Sequence, residues 1–96
     1  MLMLVTYDVN TSSQAGQKRL RKVAKLCERY GLRVQNSVFE LLVDPAQLAT
    51  LRSELTAIID HDHDSVRFYR LGNSYQTRID TMGRTGLVQT GEPILL

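Results

Sequence analysis

The chain opens with an apolar stretch, residues 2–7, that ends at a carboxylate, Asp8. The stretch carries no charge and is built of long aliphatic, β-branched and aromatic residues, a composition typical of a strand buried on both faces. Asp8 stands where this strand would leave the core, so a stiff element holds a carboxylate that water can still reach. That placement suits a ligand-binding group, although an Asp at a strand end also commonly caps the turn that follows.

Length and composition restrict the class of protein. The 96 residues make one domain, and 43% hydrophobic with 23% charged residues is typical of a globular chain. A chain of this size buries only about two-thirds of its unfolded surface and gains stability from oligomerising. Cys27 is the single cysteine, which excludes an intrachain disulfide and favours a reducing compartment. No apolar run approaches the roughly 20 residues of a membrane span, so we expect a cytoplasmic protein.

A basic amphipathic helix is predicted from Gln14 or Gln17 to Tyr30, with Gly31 as a left-handed cap. Its apolar residues recur at spacings of three and four: Leu20, Val23, Ala24, Cys27 and Tyr30. The opposite face carries Glu28 as its one anion and these cations: Lys18, Arg19, Arg21, Lys22, Lys25 and Arg29. A helix face with charges of one sign and few i,i+4 ion pairs favours binding to a phosphate backbone, although a charged helix face is more often simply solvated.

The middle of the chain predicts a hairpin, a second helix and a further strand. Residues 32–35 and 38–43 are rich in strand formers and are separated by a turn. Asp44 and Gln47 suit a capping box that opens the second helix. Residues 66–71 form the next strand. The order β-α-β-β-α-β predicts an α+β fold of the ferredoxin-like type, with both helices on one face of an antiparallel sheet.

The C-terminal part of the chain predicts an additional strand and an irregular tail. Residues 75–82 alternate loosely and would extend a sheet edge, either of this chain or of a second protomer. We therefore expect one ferredoxin-like domain over residues 1–82, followed by an irregular tail over residues 83–96.

Four segments of the sequence resemble the small CRISPR-associated protein two, the partner of the spacer integrase. The resemblance covers about residues 1–82, with the motifs in family order and spacing. The segments are Thr6-Tyr7-Asp8-Val9, Lys18-Arg19-Leu20-Arg21-Lys22-Val23-Ala24-Lys25, Arg33-Val34-Gln35-Asn36-Ser37-Val38-Phe39-Glu40 and Asp64-Ser65-Val66-Arg67-Phe68-Tyr69-Arg70-Leu71.

The resemblance implies a homodimer that takes part in spacer acquisition, the adaptation step of antiviral defence. Members of this family are assigned metal-dependent endonuclease activity, on double-stranded DNA or on single-stranded RNA. The same dimer bridges two integrase dimers and holds the DNA duplex to be inserted.

The family's metal ligand corresponds to Asp8, and the two copies of that residue face each other across the dimer axis. Magnesium prefers carboxylate oxygens and keeps several waters, so one or two carboxylates can suffice, and manganese is an alternative. Since one chain offers no second carboxylate near Asp8 in sequence, we expect a symmetry-related Asp8 to complete the site.

Further site residues follow from the same segments. Nucleic-acid contacts are expected first from Lys18, Arg19, Arg21 and Lys22, and next from Arg33. Ser37 is expected to support catalysis by Asp8, although its hydroxyl also suits a plain turn.

Two alternatives remain open at the level of sequence. One carboxylate per chain and no evident general base would make a weak nuclease, so a non-catalytic DNA-binding scaffold that bridges integrase dimers is the competing function. Residues 60–64, Asp-His-Asp-His-Asp, have the composition of a metal site. Adjacent side chains in one short loop diverge, however, so we expect a solvated turn there.

Overall fold

The computed structural model describes residues 1–83 of the chain. A four-stranded antiparallel sheet in the order β2-β3-β1-β4 carries two helices. The strands are β1 (Leu2–Asp8), β2 (Gly31–Gln35), β3 (Val38–Leu42) and β4 (Ser65–Gly72), and the helices are α1 (Gln14–Glu28) and α2 (Pro45–Ile58). The predicted ferredoxin-like β-α-β-β-α-β arrangement of an α+β protein is confirmed. No helix in this part of the chain has the length and apolarity that crossing a membrane requires.

The core lies between the sheet and the two helices. Val5 and Tyr7 of β1 pack there with buried residues of β3, α1 and α2, whereas Thr6 is half-buried and Asp8 is exposed. The prediction that β1 is buried on both faces is confirmed for Leu2 and Met3 at its start but is wrong towards its end, because both helices pack against the same face of the sheet. Towards Asp8 the other face, which we call the open face, is left uncovered by residues 1–83.

The helix boundaries follow local chemistry. The Ser13 side chain accepts a hydrogen bond from the Gly16 amide and caps α1, which confirms a start at Gln14. The capping box of α2 is also confirmed, because the Gln47 amide donates to Asp44 at 2.7 Å and the Asp44 amide donates to the Gln47 side chain at 3.0 Å.

Gly31 is needed for a different reason from the one predicted. It begins β2 instead of closing α1, and its φ is not positive. A Cβ at this position would collide with the backbone carbonyl oxygen of Glu40 on the neighbouring strand β3. Close approach of two strands, not a left-handed cap, therefore excludes a side chain at Gly31.

The additional C-terminal strand predicted over residues 75–82 is not formed in this structure. Gly72, with φ 77°, ends β4, and Tyr75–Thr77 form a 3₁₀ turn closed by a 2.9 Å hydrogen bond from the Arg78 amide to the Tyr75 carbonyl. The Arg78 guanidinium donates to the Leu71 carbonyl at 3.3 Å, which holds this segment against the C-terminal end of β4. The predicted tail, apart from Gly83, lies outside the described residues.

The Asp64 carboxylate joins three parts of the chain and has no exposed side-chain surface. Arg19 of α1 donates to it at 2.8 Å, the Asn10 amide of the β1–α1 loop at 3.0 Å and the Asp60 amide at 2.9 Å. We call these four residues, Asn10, Arg19, Asp60 and Asp64, the Asp64 cluster. The expectation of a solvated turn over residues 60–64 was therefore wrong for Asp64, because the loop folds around its carboxylate.

The charge of Asp64 is stabilised in the folded state. Burial raises the pKa of this carboxyl group, but the hydrogen bonds from Arg19, Asp60 and Asn10 outweigh burial and lower the pKa from 3.8 to about 2. A buried carboxylate that loses such a partner is left uncompensated, which destabilises a fold strongly. The Asp64 cluster should therefore make stability depend on pH in the acid range.

We expect the stability difference between the wild type and Asp64→Asn to shrink as the pH falls from about 4 to about 2. A carboxyl group with a depressed native pKa stabilises the fold fully above its unfolded pKa, and that contribution is lost as the pH falls through the native pKa. Urea unfolding at several pH values between 2 and 6 measures the difference. Other carboxyl groups titrate in both proteins and cancel, so parallel stability curves for the two proteins would contradict the prediction.

Candidate metal and nucleic-acid site

Asp8 is the last residue of β1 and is exposed on the open face of the sheet. Its Cα partner on β4 is Ser65, the first residue of that strand. Because side chains alternate along a strand, the preceding residue, Tyr7, points the other way and packs in the core, with its ring 6.1 Å from that of Phe39. The structure therefore places a carboxylate at the end of a central strand, where solvent and a ligand can reach it.

Ser37 lies at the same end of the sheet as Asp8. The Tyr7 amide donates to the Ser37 carbonyl at 3.1 Å, and the Tyr7 hydroxyl donates to the Asn36 carbonyl at 3.4 Å. These bonds fasten the turn between β2 and β3 to the residue that precedes Asp8. The link runs through the backbone of Ser37, so a catalytic role for its hydroxyl stays a prediction.

The donor set around Asp8 suits a hard cation that retains water. Within residues 1–83, no group of three or more His, Cys, Asp or Glu side chains is arranged to hold a metal ion. An exposed carboxylate with free access to water fits magnesium or manganese, which needs few protein ligands. A metal at Asp8, and the second Asp8 that would share it, stay predictions.

The two histidines of residues 60–64 are directed at protein groups. The Nε2 atom of His61 lies 3.1 Å from the Thr56 carbonyl oxygen, and the Nδ1 atom of His63 lies 3.2 Å from Asp60. Both contacts are local and exposed. Each imidazole ring therefore has a partner within its own loop or at the end of the preceding helix.

The exposed face of α1 carries four cations for which no carboxylate of the described chain lies within ion-pair distance. We call them the basic face: Lys18, Arg21, Lys22 and Lys25. Arg29, at the end of the same helix, lies 3.9 Å from Glu54 of α2. Four cations without acidic neighbours form a continuous positive surface that suits the phosphates of a nucleic acid.

Arg19 and Arg33, both predicted to bind nucleic acid, have protein partners instead of open surroundings. The Arg19 guanidinium is bound to Asp64, and the side chain is 20% exposed. The Arg33 guanidinium stacks over the Phe39 ring at 5.2 Å and lies 3.6 Å from Glu28. Because Phe39 faces the helices, Arg33 lies on the opposite side of the sheet from Asp8. Contact of either arginine with nucleic acid stays a prediction, and each has a structural role in its own right.

The open face of the sheet is largely apolar around one unsatisfied carboxyl group. The register places Leu4 and Leu32 beside Glu40 and Tyr69 on the far side of Leu4, and Leu42 is 56% exposed. One Glu40 oxygen is buried and has no hydrogen-bond partner among the described residues, and burial raises the pKa of this group. A sheet face with exposed Leu and Tyr and an unpaired acid is typical of a surface that another layer covers.

The residues that sequence reasoning missed are Asp64 and Asn10. Asp64 stands in a polar run and precedes a strand, which gives no sign that it is buried. Its partner Arg19 is 45 positions away, and no sequence spacing reports a contact at that separation. Asn10 contributes a backbone amide, which no side-chain pattern can show.

Comparison with known proteins gives the chain its family. The model of the family CRISPR associated protein Cas2 matches residues 1–79. The CRISPR-associated endonuclease Cas2 of Halalkalibacterium halodurans is 55% identical over 95 residues, which covers 99% of both chains. A CRISPR-associated endoribonuclease Cas2 of Rhodospirillum rubrum is 52% identical over 95 residues, which covers 99% of this chain and 100% of the relative.

Solved structures agree with the sequence matches. The crystal structure of Streptococcus pyogenes Cas2 at pH 6.5 superposes with a TM-score of 0.77 and is 59% identical, covering 86% of this chain and 100% of that one. A chain of a partial Cas6-RT-Cas1–Cas2 complex superposes with a TM-score of 0.67 and 27% identity, covering 99% of this chain and 91% of that one. The chain therefore belongs to the Cas2 family of CRISPR-associated proteins.

Proposed function

We propose that this chain is a homodimeric, magnesium-dependent endonuclease that acts in spacer acquisition together with the integrase. The observation that carries the proposal is Asp8, an exposed carboxylate at the end of a central strand, on a sheet face that residues 1–83 leave uncovered. The names of two relatives, an endonuclease and an endoribonuclease, support hydrolysis of phosphodiester bonds.

Each part of the proposed site has a separate task. Asp8 and its symmetry mate hold the divalent ion, and the basic face seats the phosphate backbone. When bound, magnesium supplies positive charge at the scissile phosphate and favours ionisation of an attacking water. The chain's own residues fix where the nucleic acid lies relative to Asp8.

The dimer follows from the open face of the sheet. Leu42 is 56% and Tyr69 is 44% exposed on that face, and covering such side chains stabilises an assembly. Isologous packing of two open faces pairs identical surfaces, and residues close to the twofold axis meet their own copies; we propose that Asp8 is one of these residues. Such packing thereby supplies the second carboxylate that one chain lacks.

The substrate proposed first is double-stranded DNA, with single-stranded RNA as the alternative. Contacts to phosphates position a nucleic acid without reading its bases, so the basic face suits both substrates. The name of one relative, an endoribonuclease, specifies RNA, and the name of the other, an endonuclease, leaves the nucleic acid open. Cleavage assays with both substrates decide between them.

A scaffold function is the second candidate. The structural likeness to a chain of a Cas1–Cas2 assembly supports the integrase as a partner. The incomplete metal shell of one chain, set against four unpaired cations on α1, favours binding over chemistry. The two functions are compatible, and separate variants test them.

We expect Asp8→Ala to lower magnesium-dependent cleavage by at least about 100-fold, equivalent to about 2.7 kcal/mol of transition-state stabilisation. Duplex binding should change little, because the basic face is intact. Asp80→Ala, which removes an exposed carboxylate of the segment after β4, at the far end of β1 from Asp8, is the matched control. Equal cleavage by the wild type and Asp8→Ala would remove Asp8 from the site. Spacer integration by Asp8→Ala at the wild-type rate would assign the essential role to the scaffold.

We expect Lys18→Gln, Arg21→Gln and Lys22→Gln together to weaken duplex binding and to flatten its dependence on salt. Three lost phosphate contacts lower the slope of log K against log salt by up to about 2.7. The control combines Ala46→Glu, Ser53→Glu and Ala57→Glu on the exposed side of α2, which changes the net charge equally. If the control weakens binding as much, net charge and not the basic face governs affinity.

We expect Leu42→Lys to shift the protein from dimer to monomer, because a charge placed among the apolar side chains of the open face remains unpaired when that face is covered. Light scattering coupled to size exclusion measures the mass at several concentrations. Ala57→Lys on exposed α2 adds the same charge away from the open face and should remain dimeric. A dimer that tolerates Leu42→Lys and dissociates with Ala57→Lys would place the interface on the helices.

A further inference from the structure

The Asp64 cluster brackets Asp8 on both sides. Asp64 immediately precedes Ser65, which is the Cα partner of Asp8 across the sheet. The Asp64 carboxylate also accepts the amide of Asn10, two residues beyond Asp8, at 3.0 Å. The backbone that carries Asp8 is thus held by its strand partner and by the loop that follows it, and one buried side chain connects the two.

We propose that the Arg19–Asp64 ion pair is a positioning device that fixes the direction of the Asp8 carboxylate and its distance from the basic face. The inference rests on the proposed function, since it assigns two further residues to the same site. Neither residue touches the metal or the phosphate in this role. Both act through the backbone on either side of Asp8.

The geometry of the pair favours position over stability as its role. Arg19 presents two nitrogens to the carboxylate, Nε at 2.8 Å and Nη2 at 3.4 Å. Two bonds fix the angle of α1 against the β1–α1 loop, whereas a single-point ammonium would leave that angle free. A buried ion pair adds little net stability compared with apolar packing, so retaining one is better explained by the orientation that it specifies.

The same pair couples the two halves of the proposed site. Arg19 is flanked on α1 by Lys18, and Arg21 and Lys22 follow within the next turn. Those cations are exposed, whereas the Arg19 side chain turns inward to Asp64. Because α1 is rigid, the bond from Arg19 to Asp64, which immediately precedes β4, also fixes the position of the basic face relative to the backbone of Asp8.

The test uses the full chain and four variants. Asp64→Asn keeps the shape of the side chain but presents an amide group to Arg19. Arg19→Lys keeps the charge and removes the two-nitrogen contact, and Arg19→Gln removes the charge as well. Glu54→Gln is the matched control, because it breaks a 3.9 Å contact between Arg29 of α1 and α2 without touching the loop after Asp8.

Three measurements are made at a temperature where every variant is folded. Mn²⁺ is titrated and followed by electron paramagnetic resonance, with Asp8→Ala as the blank. Hydrogen exchange of the Asp8, Val9 and Asn10 amides is compared with that of β3 amides in the same protein. Cleavage kinetics separate kcat from KM for a DNA duplex.

We expect Asp64→Asn and Arg19→Lys to weaken Mn²⁺ binding and to lower kcat by about 10-fold, the usual effect of a residue that orients a metal ligand. Exchange of the three amides should quicken at least about fivefold relative to β3, whereas KM should stay within about twofold. Glu54→Gln should match the wild type in all three measurements. A fold-wide role would lower stability without changing Mn²⁺ affinity or kcat, and that result would overturn the proposal.

The remaining outcomes separate this proposal from the proposed function. If Arg19→Lys keeps the wild-type kcat and Arg19→Gln binds the duplex weakly, Arg19 is a phosphate contact. That result would overturn the positioning role. Loss of Mn²⁺ binding and cleavage in Asp8→Ala, with wild-type values in Asp64→Asn, would uphold the proposed function and refute the device. If the wild type binds no Mn²⁺ and does not cleave, the proposed function fails. The amide exchange of Asp64→Asn then decides alone whether the pair fixes Asp8.

Discussion

The position of Asp8 depends on the alternation of side chains along β1. Successive side chains of a strand point to opposite faces, so the burial of Val5 and Tyr7 in the core directs Thr6 and Asp8 to the other side. β1 is hydrogen-bonded to β3 and to β4, and a slip of one residue would expose Val5 and Tyr7. Each such side chain contributes about 1.5–3 kcal/mol by its burial. The core therefore sets the face of the sheet on which Asp8 lies.

The same alternation leaves one sheet face unfinished. Both helices cover the face that bears Tyr7, and the face that bears Asp8 shows Leu42, Tyr69 and an unpaired oxygen of Glu40. Covering apolar surface and completing a metal shell are separate physical requirements. In the proposed dimer one isologous contact meets both requirements. The apolar surface that becomes buried also carries Asp8, for which the partner protomer supplies the second carboxylate. In that dimer the proposed metal is shared by two chains, since residues 1–83 of one chain hold no cluster of three or more metal-ligating side chains.

Sequence predicts this fold well wherever the cause is local. The 3.6-residue period of α1, the capping box of Asp44 and the hairpin after Gly31 all follow from neighbours in the chain, and all are confirmed. Asp8 was located because the end of an apolar run is visible in sequence. The predictions that were wrong depend on distant contacts: Gly31 is fixed by the approach of β3, and the Asp64 cluster joins residues 45 positions apart.

Symmetry makes the precision of each protomer more important than it would be in a one-chain site. If two Asp8 carboxylates share an ion across a twofold axis, a displacement of one is repeated by the other. A shift of about 0.5 Å along the line between them therefore changes their separation by about 1 Å, beyond the tolerance of a catalytic constellation. Misplacement of that size can reduce a rate by about 100-fold.

A strand end is the least restrained part of a sheet, because the ladder of hydrogen bonds stops there. The Asp64 cluster lies at this point, with one carboxylate bound to the loop after Asp8, to α1 and to the segment before β4. The proposed role of the buried ion pair is to restrain the position of Asp8. Without that restraint, a displacement in one protomer would be repeated in the other and would change the separation of the two carboxylates by twice as much.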